Sequence, residues 1–489
     1  MTHDSTLAGQ IDQRREQVTS LRAAGSDPYP EPDSSLRDQS YLLSQQVHSE
    51  LPTIDDVSPK SESHVFTGRL IQLNNLGKLK FLFLRCAECV IQVCVSVKSA
   101  PEIADLLKMT SLGDHLSVTG HFAKTTRNSI VVLAKTMKIV SKALRPLPGK
   151  TFSVVVDDEW RANNRVADMM LRDQVIERLR ARANAIHNIR QTLHSFNFIE
   201  AETSMLTQIA GGATAKPFAT HHNALNKDMS LRIAPELDLK RLIIAGFDRV
   251  YELGRVFRNE GIDKTHNPEF TTLEIYAANS SMKTMISLMH ALLRTSARGV
   301  AQAIPSMRDS VSRFETECHV VSMRSLIREI CVESPISADE KPSAEELREL
   351  PSYASSMLGR EVTDYGEALQ SLFERFAEKT LLDPTIVTDH PASLSPLAKH
   401  DGTLAMRFEL YIDGFEIANA YVEQADADLQ RSIFVEQAKK NNATPDMRYC
   451  DDLELGLPPT VGLGIGIDRL MMVLMGAQSI KDVIAFPTR

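Results

Sequence analysis

The stretch that most constrains the fold of this chain lies at residues 255–276 and reads RVFRNEGIDKTHNPEFTTLEIY. Two β-prone runs, residues 249–257 and 269–276, flank a polar segment that holds a glycine, an aspartate and an Asn–Pro pair. Turn-forming residues between two apolar runs predict a β-hairpin with a long loop. We expect the rest of the chain to be organised around this hairpin.

Polar residues at the open end of the hairpin point to a nucleotide. Arg258 and Glu260 stand just before the loop, and His266, Glu269 and Phe270 stand just after it. A guanidinium group can hold an anion through two parallel hydrogen bonds, because it is planar and always charged. A phenylalanine beside it can offer its ring face to a base. For an isolated FRNE motif, a surface hairpin held by ion pairs is an equally good interpretation.

Further motifs carry a family resemblance. FRNEG followed by HNPEF resembles motif 2 of the class II aminoacyl-tRNA synthetases, and GLGIGIDRL at residues 462–470 resembles motif 3. Four more segments are similar to lysine–tRNA ligases of the bacterial and eukaryotic class II form: GGATAKPFATHHNALN, RIAPELDLKRLIIAGFDRVYE, LLDPTIVTDHPASLSPLAK and ALRPLP. The resemblance runs from about residue 65 to the C-terminus and is most specific from Leu171 onward.

Bulk properties restrict the class of protein. The 489 residues suffice for two or three domains, and 43% hydrophobic with 24% charged residues is ordinary for a globular protein. A formal net charge of −8 argues against a general polyanion binder. No run approaches the ~18 apolar residues of a membrane helix. The N-terminus lacks an apolar signal region and six cysteines are scattered, so we expect a cytoplasmic protein.

The sequence predicts an α+β protein of three parts. Residues 1–64 read as a helix that ends near Gly25, followed by a polar linker or loosely ordered segment. Residues 65–148 show five strand patterns and one short helix, which predict an OB-fold β-barrel whose open face stacks single-stranded nucleic acid. The resemblance implies that residues 149–489 form a class II catalytic domain, an antiparallel sheet flanked by helices. Cys86 and Cys89, a CxxC pair in the barrel region, fit small apolar residues better than a metal site.

A long helix predicted at residues 171–196 has one apolar stripe. The stripe and the following FIEAETSML resemble motif 1, which implies a homodimer built on this region. Ser204 stands where the family has a proline, so the strand here is freer. The arginines of this helix are most simply a solvated face: Arg178, Arg180, Arg182 and Arg190. Further helices are predicted at residues 281–303 and 343–380.

Adenylation brings two anions together, a carboxylate and the α-phosphate of ATP, so cations must be placed around them. The resemblance implies that Arg258 holds the α-phosphate and the amino-acid carboxylate. It places Arg469 on the γ-phosphate and the adenine, His266 near the leaving phosphates and Phe270 on the other face of the adenine. Glu260 joins this ATP-binding set, and Arg258 and Arg469 are the expected catalytic residues.

Acidic residues are the expected partners of a metal ion and of a cationic substrate. The resemblance implies that Glu416 and Glu423 hold Mg²⁺, an ion that prefers oxygen ligands; salt-bridge partners are the alternative. A lysine substrate requires carboxylates, because a buried ammonium must be paired. The resemblance implies that Glu236 takes the α-amino group, and that Glu274 and Tyr276, two apart on one strand face, take the ε-ammonium. Gly212, Arg258 and Glu423 complete the predicted amino-acid site.

Several positions depart from the family pattern. Val422, Ala425 and Asp238 stand where the family has Ser, Asn and Tyr at the edge of the amino-acid site. In the barrel, Phe81 and Gln92 match the family's anticodon stacker and amide, although a core role for Phe81 is equally compatible. Ser129 replaces a glutamate that reads the anticodon, and Asn74 lies in a segment where an arginine is usual; we therefore expect weakened anticodon readout.

Three functions are compatible with these residues. The leading hypothesis is a lysine–tRNA ligase that uses ATP, Mg²⁺, lysine and tRNA. The main alternative is a diverged paralogue that activates lysine or a close analogue for an acceptor other than tRNA, which the changes at Ser129, Ala425 and Ser204 favour. A non-catalytic RNA-binding protein is the third, and the intact Arg258, Glu416, Glu423 and Arg469 argue against it.

Overall fold

The computed structural model describes residues 7–32, 34–36, 38–46, 50–56, 62–87, 89–147, 157–213, 215–339, 341–441 and 445–488. The chain divides into two compact units, Met1–Asp173 and Gln174–Arg489. The predicted domain boundary between residues 148 and 149 lies outside the described residues. The boundary that the structure shows instead falls at the start of a long helix.

The first unit is built on a closed five-stranded barrel with the strand order β1-β2-β3-β5-β4. Its elements are α1 (Leu7–Ala23), β1 (His64–Leu76), β2 (Leu79–Arg85), β3 (Val90–Ser96), α2 (Pro101–Leu106), β4 (His115–Lys124), β5 (Ile130–Ser141), α3 (Asp158–Asn163) and α4 (Arg165–Leu171). All five predicted strands and the helix between β3 and β4 are confirmed, in the arrangement of an OB-fold. Ile91, Val93 and Val95 point into the barrel core, as their alternation with polar residues predicts.

The segment before the barrel is more ordered than its composition predicts. The backbone N–H of Val65 donates to the side chain of Gln39 at 2.8 Å, and that of Thr67 donates to Asp38 at 3.1 Å. Leu42 and Leu51 pack against the barrel core. Of the two predictions for this segment, a linker or a loosely ordered stretch, these contacts favour a linker in its described part, because polar side chains there accept from the edge of β1.

The predicted N-terminal helix is confirmed as α1, and only part of its apolar surface is buried. Leu21 is buried, whereas Leu7 is 49% exposed. The guanidinium of Arg14 donates to the carbonyl of Ala143 at 2.7 Å, and the hydroxyl of Tyr29 donates to the carbonyl of Lys142 at 3.1 Å. Polar contacts to the end of β5 thus hold this helix as much as apolar burial does.

The second unit contains an eight-stranded sheet with the order β12-β13-β14-β15-β16-β11-β10-β6, and a separate sheet with the order β7-β9-β8. The strands are β6 (Ile199–Glu200), β7 (Leu206–Thr207), β8 (Ala219–His222), β9 (Lys227–Leu231), β10 (Arg249–Phe257), β11 (Glu269–Ala278), β12 (His319–Ser322), β13 (Thr385–Thr388), β14 (Arg407–Ile412), β15 (Phe415–Val422) and β16 (Thr460–Gly466). The predicted hairpin is confirmed as β10–β11, with Val256 opposite Phe270. The sheet is mixed rather than purely antiparallel, because β10–β6 and β12–β13 are parallel pairs at its two ends.

Helices cover this sheet. They are α5 (Asp173–Ser195), α6 (Glu236–Ile244), α7 (Met282–Ala303), α8 (Arg308–Val311), α9 (Met323–Ile330), α10 (Ala344–Leu358), α11 (Tyr365–Leu372), α12 (Ala427–Asn441), α13 (Met447–Leu453) and α14 (Ile467–Leu474). The main core joins α5, α7 and α14 to the central strands. Within the described ranges, no helix is long and apolar enough to cross a membrane.

Two helix predictions need correction. The helix expected at residues 171–196 is confirmed as α5 but begins two residues later, because Arg172 has extended backbone angles and separates α4 from α5. On α5 the buried face runs through Ala181 and Ala185, while Ala183 of the predicted stripe is exposed. The region 343–380 is likewise broken, since α10 ends at Gly359, whose positive φ of 67° closes the helix.

Candidate active site

A cleft of about 1220 Å³ opens in the second unit, above the central strands β11, β15 and β16. The hairpin loop, the start of α6 and the loop at residues 208–213 form its walls. Most predicted site residues line this cleft: Gly212, Glu236, Arg258, Glu260, His266, Phe270, Glu274, Tyr276, Glu416 and Arg469. Glu423 is absent from the lining, because its side chain is fully buried behind it.

The guanidinium of Arg258 forms no ion pair with the described residues, although Glu274, Glu260 and Glu416 are close enough to act on its charge. Arg258 follows β10, and its guanidinium lies over the ring of Phe270 at 5.1 Å from the centroid. Its Nε is buried and has no hydrogen-bond partner among the described residues. Burial lowers the pKa of Arg258, while Glu274, Glu260 and Glu416 oppose that shift. Such a group is suited to bind an anion that enters the cleft.

A chain of contacts ties the hairpin loop to helix α14. The Asp263 carboxylate lies 2.8 Å from Nδ1 of His266, and Arg469 donates to Nε2 of His266 at 2.9 Å. Because Nε2 accepts from a guanidinium, the proton of a neutral imidazole must sit on Nδ1 and point to Asp263. Backbone donation from Thr265 and the contact with His266 lower the pKa of Asp263 to about 2. The loop therefore holds Arg469 and His266 together at the cleft.

Glu274 lies on the floor of the cleft and forms no ion pair with the described residues, the Arg258 guanidinium being its nearby positive charge. Its carboxylate accepts from Thr272 at 3.2 Å and from Tyr276 at 3.3 Å. Burial and the charge of Glu236 raise the pKa of Glu274 to about 8. The opposite strand leaves room for it, since a Cβ on Gly464 would lie 3.1 Å from the Glu274 carboxylate. An ammonium group arriving here would form an ion pair with it.

Behind the floor, the protein pairs two acids with its own lysine. The Lys240 ammonium on α6 lies 2.6 Å from Oε1 of Glu236 and also contacts Oε2 of Glu423. Both Lys240 and Glu423 are buried, and Tyr421 donates to Oε1 of Glu236. Burial alone would lower the pKa of Lys240, but Glu236 and Glu423 reverse that shift and raise it. Lys240 therefore stays charged.

The two predicted metal ligands stand in different surroundings. The Glu416 side chain is 43% exposed and lies 3.8 Å from Arg469. Desolvation in the cleft and the negative charge of Glu409 raise the pKa of Glu416 to about 7. Oε1 of Glu423 has no hydrogen-bond partner among the described residues and abuts Gly462, which lines the cleft. Both groups offer carboxylate oxygen, which is the ligand type that hard divalent ions prefer.

Other predicted residues take up their places around the cleft. The backbone N–H of Glu260 donates to the carbonyl of Arg258 at 2.9 Å, and the Glu260 side chain is exposed. Gly212 has a positive φ of 84°, and a Cβ there would lie 3.1 Å from Cβ of Glu236. The three departures at Asp238, Val422 and Ala425 lie outside the cleft lining. Asp238 instead forms an ion pair with Arg241 at 2.8 Å.

On the barrel, the predicted anticodon residues lie on one outer face. Asn74 is opposite Phe81 across β1–β2, and Phe83 is opposite Gln92 across β2–β3. Phe81 is half-buried and packs against a small cluster that includes Cys94 and Val131. Ser129 is exposed in the turn between β4 and β5.

The region after α5 exposes apolar side chains where the interface is predicted. Phe196 is 37% exposed, Ile199 53%, Met205 47% and Leu206 46%. Ser204 beside them is also exposed. Several exposed apolar side chains within eleven residues of sequence, Phe196 to Leu206, are compatible with a protein–protein contact in this region.

Two important charged residues escaped the sequence interpretation. Arg182, assigned to a solvated face, is largely buried and forms an ion pair with Asp468 at 2.5 Å, so that assignment is wrong for Arg182. Its other donor reaches Thr271 on β11 at 3.0 Å. Lys240 was not singled out at all. The available signal was its spacing of four residues from Glu236 on a helix whose neighbours Leu237, Leu239 and Ile243 are all apolar.

Comparison with known proteins places this arrangement in a class. Residues 157–489 match the family of class II tRNA synthetases (D, K and N). The sheet, the cleft and this match define a class II aminoacyl-tRNA synthetase, a class whose members use ATP and divalent metal ions.

Curated relatives narrow the family further. The lysine–tRNA ligase of Enterococcus faecalis is 38% identical over 500 residues, which cover 99% of this chain and 98% of that protein. The lysine–tRNA ligases of Lactococcus lactis subsp. cremoris and Streptococcus pneumoniae serotype 4 are each 38% identical, covering 100% of both chains in the first case and 99% in the second. The chain therefore belongs to the lysine–tRNA ligase family.

Proposed function

We propose that this protein activates lysine with ATP to lysyl-adenylate, releases pyrophosphate, and transfers the lysyl group to the 3′ end of a lysine tRNA. One observation carries the choice of substrate: Glu274 faces the cleft and forms no ion pair with the described residues, whereas the neighbouring acids Glu236 and Glu423 contact Lys240. An amino acid with a cationic side chain would supply a positively charged partner for the Glu274 carboxylate. The alternative of a non-tRNA acceptor gains no support from the relatives, and we do not propose it.

Arg258 is the residue on which the first step depends in this proposal. Its guanidinium forms no ion pair with the described residues, so it can bridge the lysine carboxylate and the α-phosphate and offset their repulsion. Phe270 is placed to cover the adenine from the side of β11. Arg469 and His266, already in contact, receive the terminal phosphates as pyrophosphate leaves. No general base is required, since the carboxylate nucleophile is already ionised and positioning supplies most of the acceleration.

The amino-acid end of the cleft contributes selectivity. Oε2 of Glu236 is free of described donors and lies near Gly212, so it can accept from the α-ammonium. Glu274 and the Tyr276 hydroxyl then receive the ε-ammonium at the far end. A substrate without that ammonium would leave Glu274 unpaired and bind more weakly.

We further propose Mg²⁺ as the divalent ion, held by Glu416 and by Oε1 of Glu423 together with phosphate oxygens. When bound, it neutralises phosphate charge during the attack. Lys240 occupies the other oxygen of Glu423 and leaves Oε1 for the ion.

The proposal for the macromolecular partners rests on the barrel and on α5. The face with Phe81, Gln92 and Phe83 is suited to stack anticodon bases. The exposed apolar residues around Ile199 and Leu206 support a homodimer. We also propose a cytoplasmic location, where ATP and tRNA are both present.

The decisive experiment is amino-acid-dependent ATP–pyrophosphate exchange across a panel of amino acids, followed by aminoacylation of lysine tRNA. Lysine should support exchange, and ornithine, arginine and norleucine should support it poorly. Glu274→Gln should impair the use of lysine while leaving the KM for ATP unchanged. Exchange with another amino acid in preference to lysine would refute the substrate, and exchange without aminoacylation would refute the acceptor.

A further inference from the structure

Lys240, which lies behind the cleft between Glu236 and Glu423, has no role in the function proposed above beyond its contact with these acids. Lys240 is 1% exposed, and its ammonium is surrounded by acids and aromatic rings. Its Nζ lies 5.9, 5.5 and 5.9 Å from the ring centroids of Tyr276, Tyr421 and Tyr449. These distances allow cation–π attraction, which is strongest where water is excluded.

We propose that Lys240 is a positioning residue for the amino-acid substrate: its ammonium, in contact with Oε1, holds the Glu236 carboxylate in one orientation and leaves the other oxygen facing the cleft wall. The inference rests on the proposed function, in which Glu236 receives the α-ammonium. Lys240 itself does not line the cleft.

Both oxygens of Glu236 have separate tasks in this arrangement. Oε1 accepts from Lys240 and from Tyr421, which fixes the plane of the carboxylate. No described residue donates to Oε2, which would lie 3.7 Å from a Cβ on Gly212, at the cleft wall. A carboxylate anchored through one oxygen presents the other at a constant place, which is what a bound ammonium requires.

The neighbouring acid Glu274 is held differently. Among the described residues, the hydroxyl groups of Thr272 and Tyr276 donate to its carboxylate, and it forms no ion pair. The contact with the Lys240 ammonium is thus what distinguishes the anchoring of Glu236 from that of Glu274.

Lys240 also contacts a second acid, Glu423. The Lys240 ammonium contacts a carboxylate oxygen of Glu423 as well as one of Glu236, so one group holds both acids in place. Without the lysine, Tyr421 would be the remaining described donor to Oε1 of Glu236, and the carboxylate could turn away from the cleft. A substrate ammonium that loses its carboxylate acceptor in a binding site usually binds about 30-fold or more weakly.

The test is Lys240→Met, which keeps an unbranched chain of similar length without the charge. In lysine-dependent pyrophosphate exchange, the KM for lysine should rise on the order of 30-fold, while the KM for ATP stays within about twofold of the wild-type value. Lys240→Gln keeps a donor for Oε1 and should fold more readily, with an intermediate KM. Arg241→Met is the matched control, because it removes a charge from the next position of α6 that pairs with Asp446 and Asp452 instead.

A double-mutant cycle with Glu236→Gln separates this proposal from the proposed function. If Lys240 acts through Glu236, the effects of Lys240→Met and Glu236→Gln on lysine KM should be strongly non-additive. A normal lysine KM in Glu236→Gln would overturn the assignment of Glu236 itself. A raised KM in Glu236→Gln with a normal KM in both Lys240 variants, or additive effects, would overturn the role of Lys240 alone.

Discussion

Glu274 makes lysine binding depend on pH in a direction that the structure determines. Its pKa is raised to about 8 by burial and by Glu236, so the carboxyl is mostly neutral in the empty enzyme at pH 7. An ammonium bound beside Tyr276 favours the ionised form, because opposite charges stabilise each other. Lysine binding at neutral pH should therefore release a proton from Glu274.

The size of the effect follows from the fraction of ionised Glu274. If only that fraction binds lysine, the apparent KM is multiplied by about 100 at pH 6 and by about 2 at pH 8. The KM for lysine should then fall about 50-fold between these pH values. The ε-ammonium of lysine stays charged throughout, since its pKa is about 10.4. Calorimetry at pH 7 should find about 0.9 protons released per lysine bound.

The assay is pyrophosphate exchange at saturating ATP, with lysine varied at each pH, on the wild type and on Glu274→Gln. The variant carries a neutral amide, so its lysine KM should be high and nearly independent of pH. Taking the ratio of the two enzymes removes the titration of lysine and ATP themselves. A wild-type KM that is constant between pH 6 and pH 8, or an equal slope in the variant, would show that Glu274 is already ionised or does not bind lysine.

Four further outcomes are expected. Arg469→Ala should lower the exchange rate by ~10²-fold or more, as loss of a charge-stabilising donor does; a normal rate would remove Arg469 from the site. Light scattering at micromolar concentration should give twice the mass of one chain, and a monomer would implicate Ser204. A lysine tRNA with a changed middle anticodon base should be discriminated by less than ~10³-fold, because Ser129 replaces a charged base contact worth ~1–3 kcal/mol; the missing arginine near Asn74 should weaken binding of all tRNAs alike. Burial lowers the pKa of His390 to about 4, so stability present above pH 6.5 should be lost as the pH falls toward 4, with a weaker loss in His390→Gln when unfolding midpoints are compared.

Local patterns were enough to predict the elements that carry the site. The strand β10 begins and ends where its apolar run does, and the loop after it contains the polar residues that reach the cleft. The barrel strands follow their alternation in the same way. The bounds of these strands depend on residues that are close in sequence, so they can be predicted from a single sequence.

Long-range pairing explains what the sequence could not predict. Arg182 looks like any exposed arginine of a helix until Asp468, far along the chain, comes to lie beside it. Lys240 likewise has buried partners, Tyr421 and Glu423, that are distant in sequence and meet it only in the folded chain. From sequence alone, a charged side chain is expected on the surface. Only the folded structure shows which charged side chains are buried with a partner of opposite charge.

The guanidinium of Arg258 has a consequence for the lifetime of the protein. It forms no ion pair with the described residues, so an anionic ligand that pairs with it stabilises the filled form relative to the empty one. At a ligand concentration of 100 times Kd, that gain is about 2.7 kcal/mol. Unfolding and proteolysis are therefore expected to remove empty molecules before filled ones.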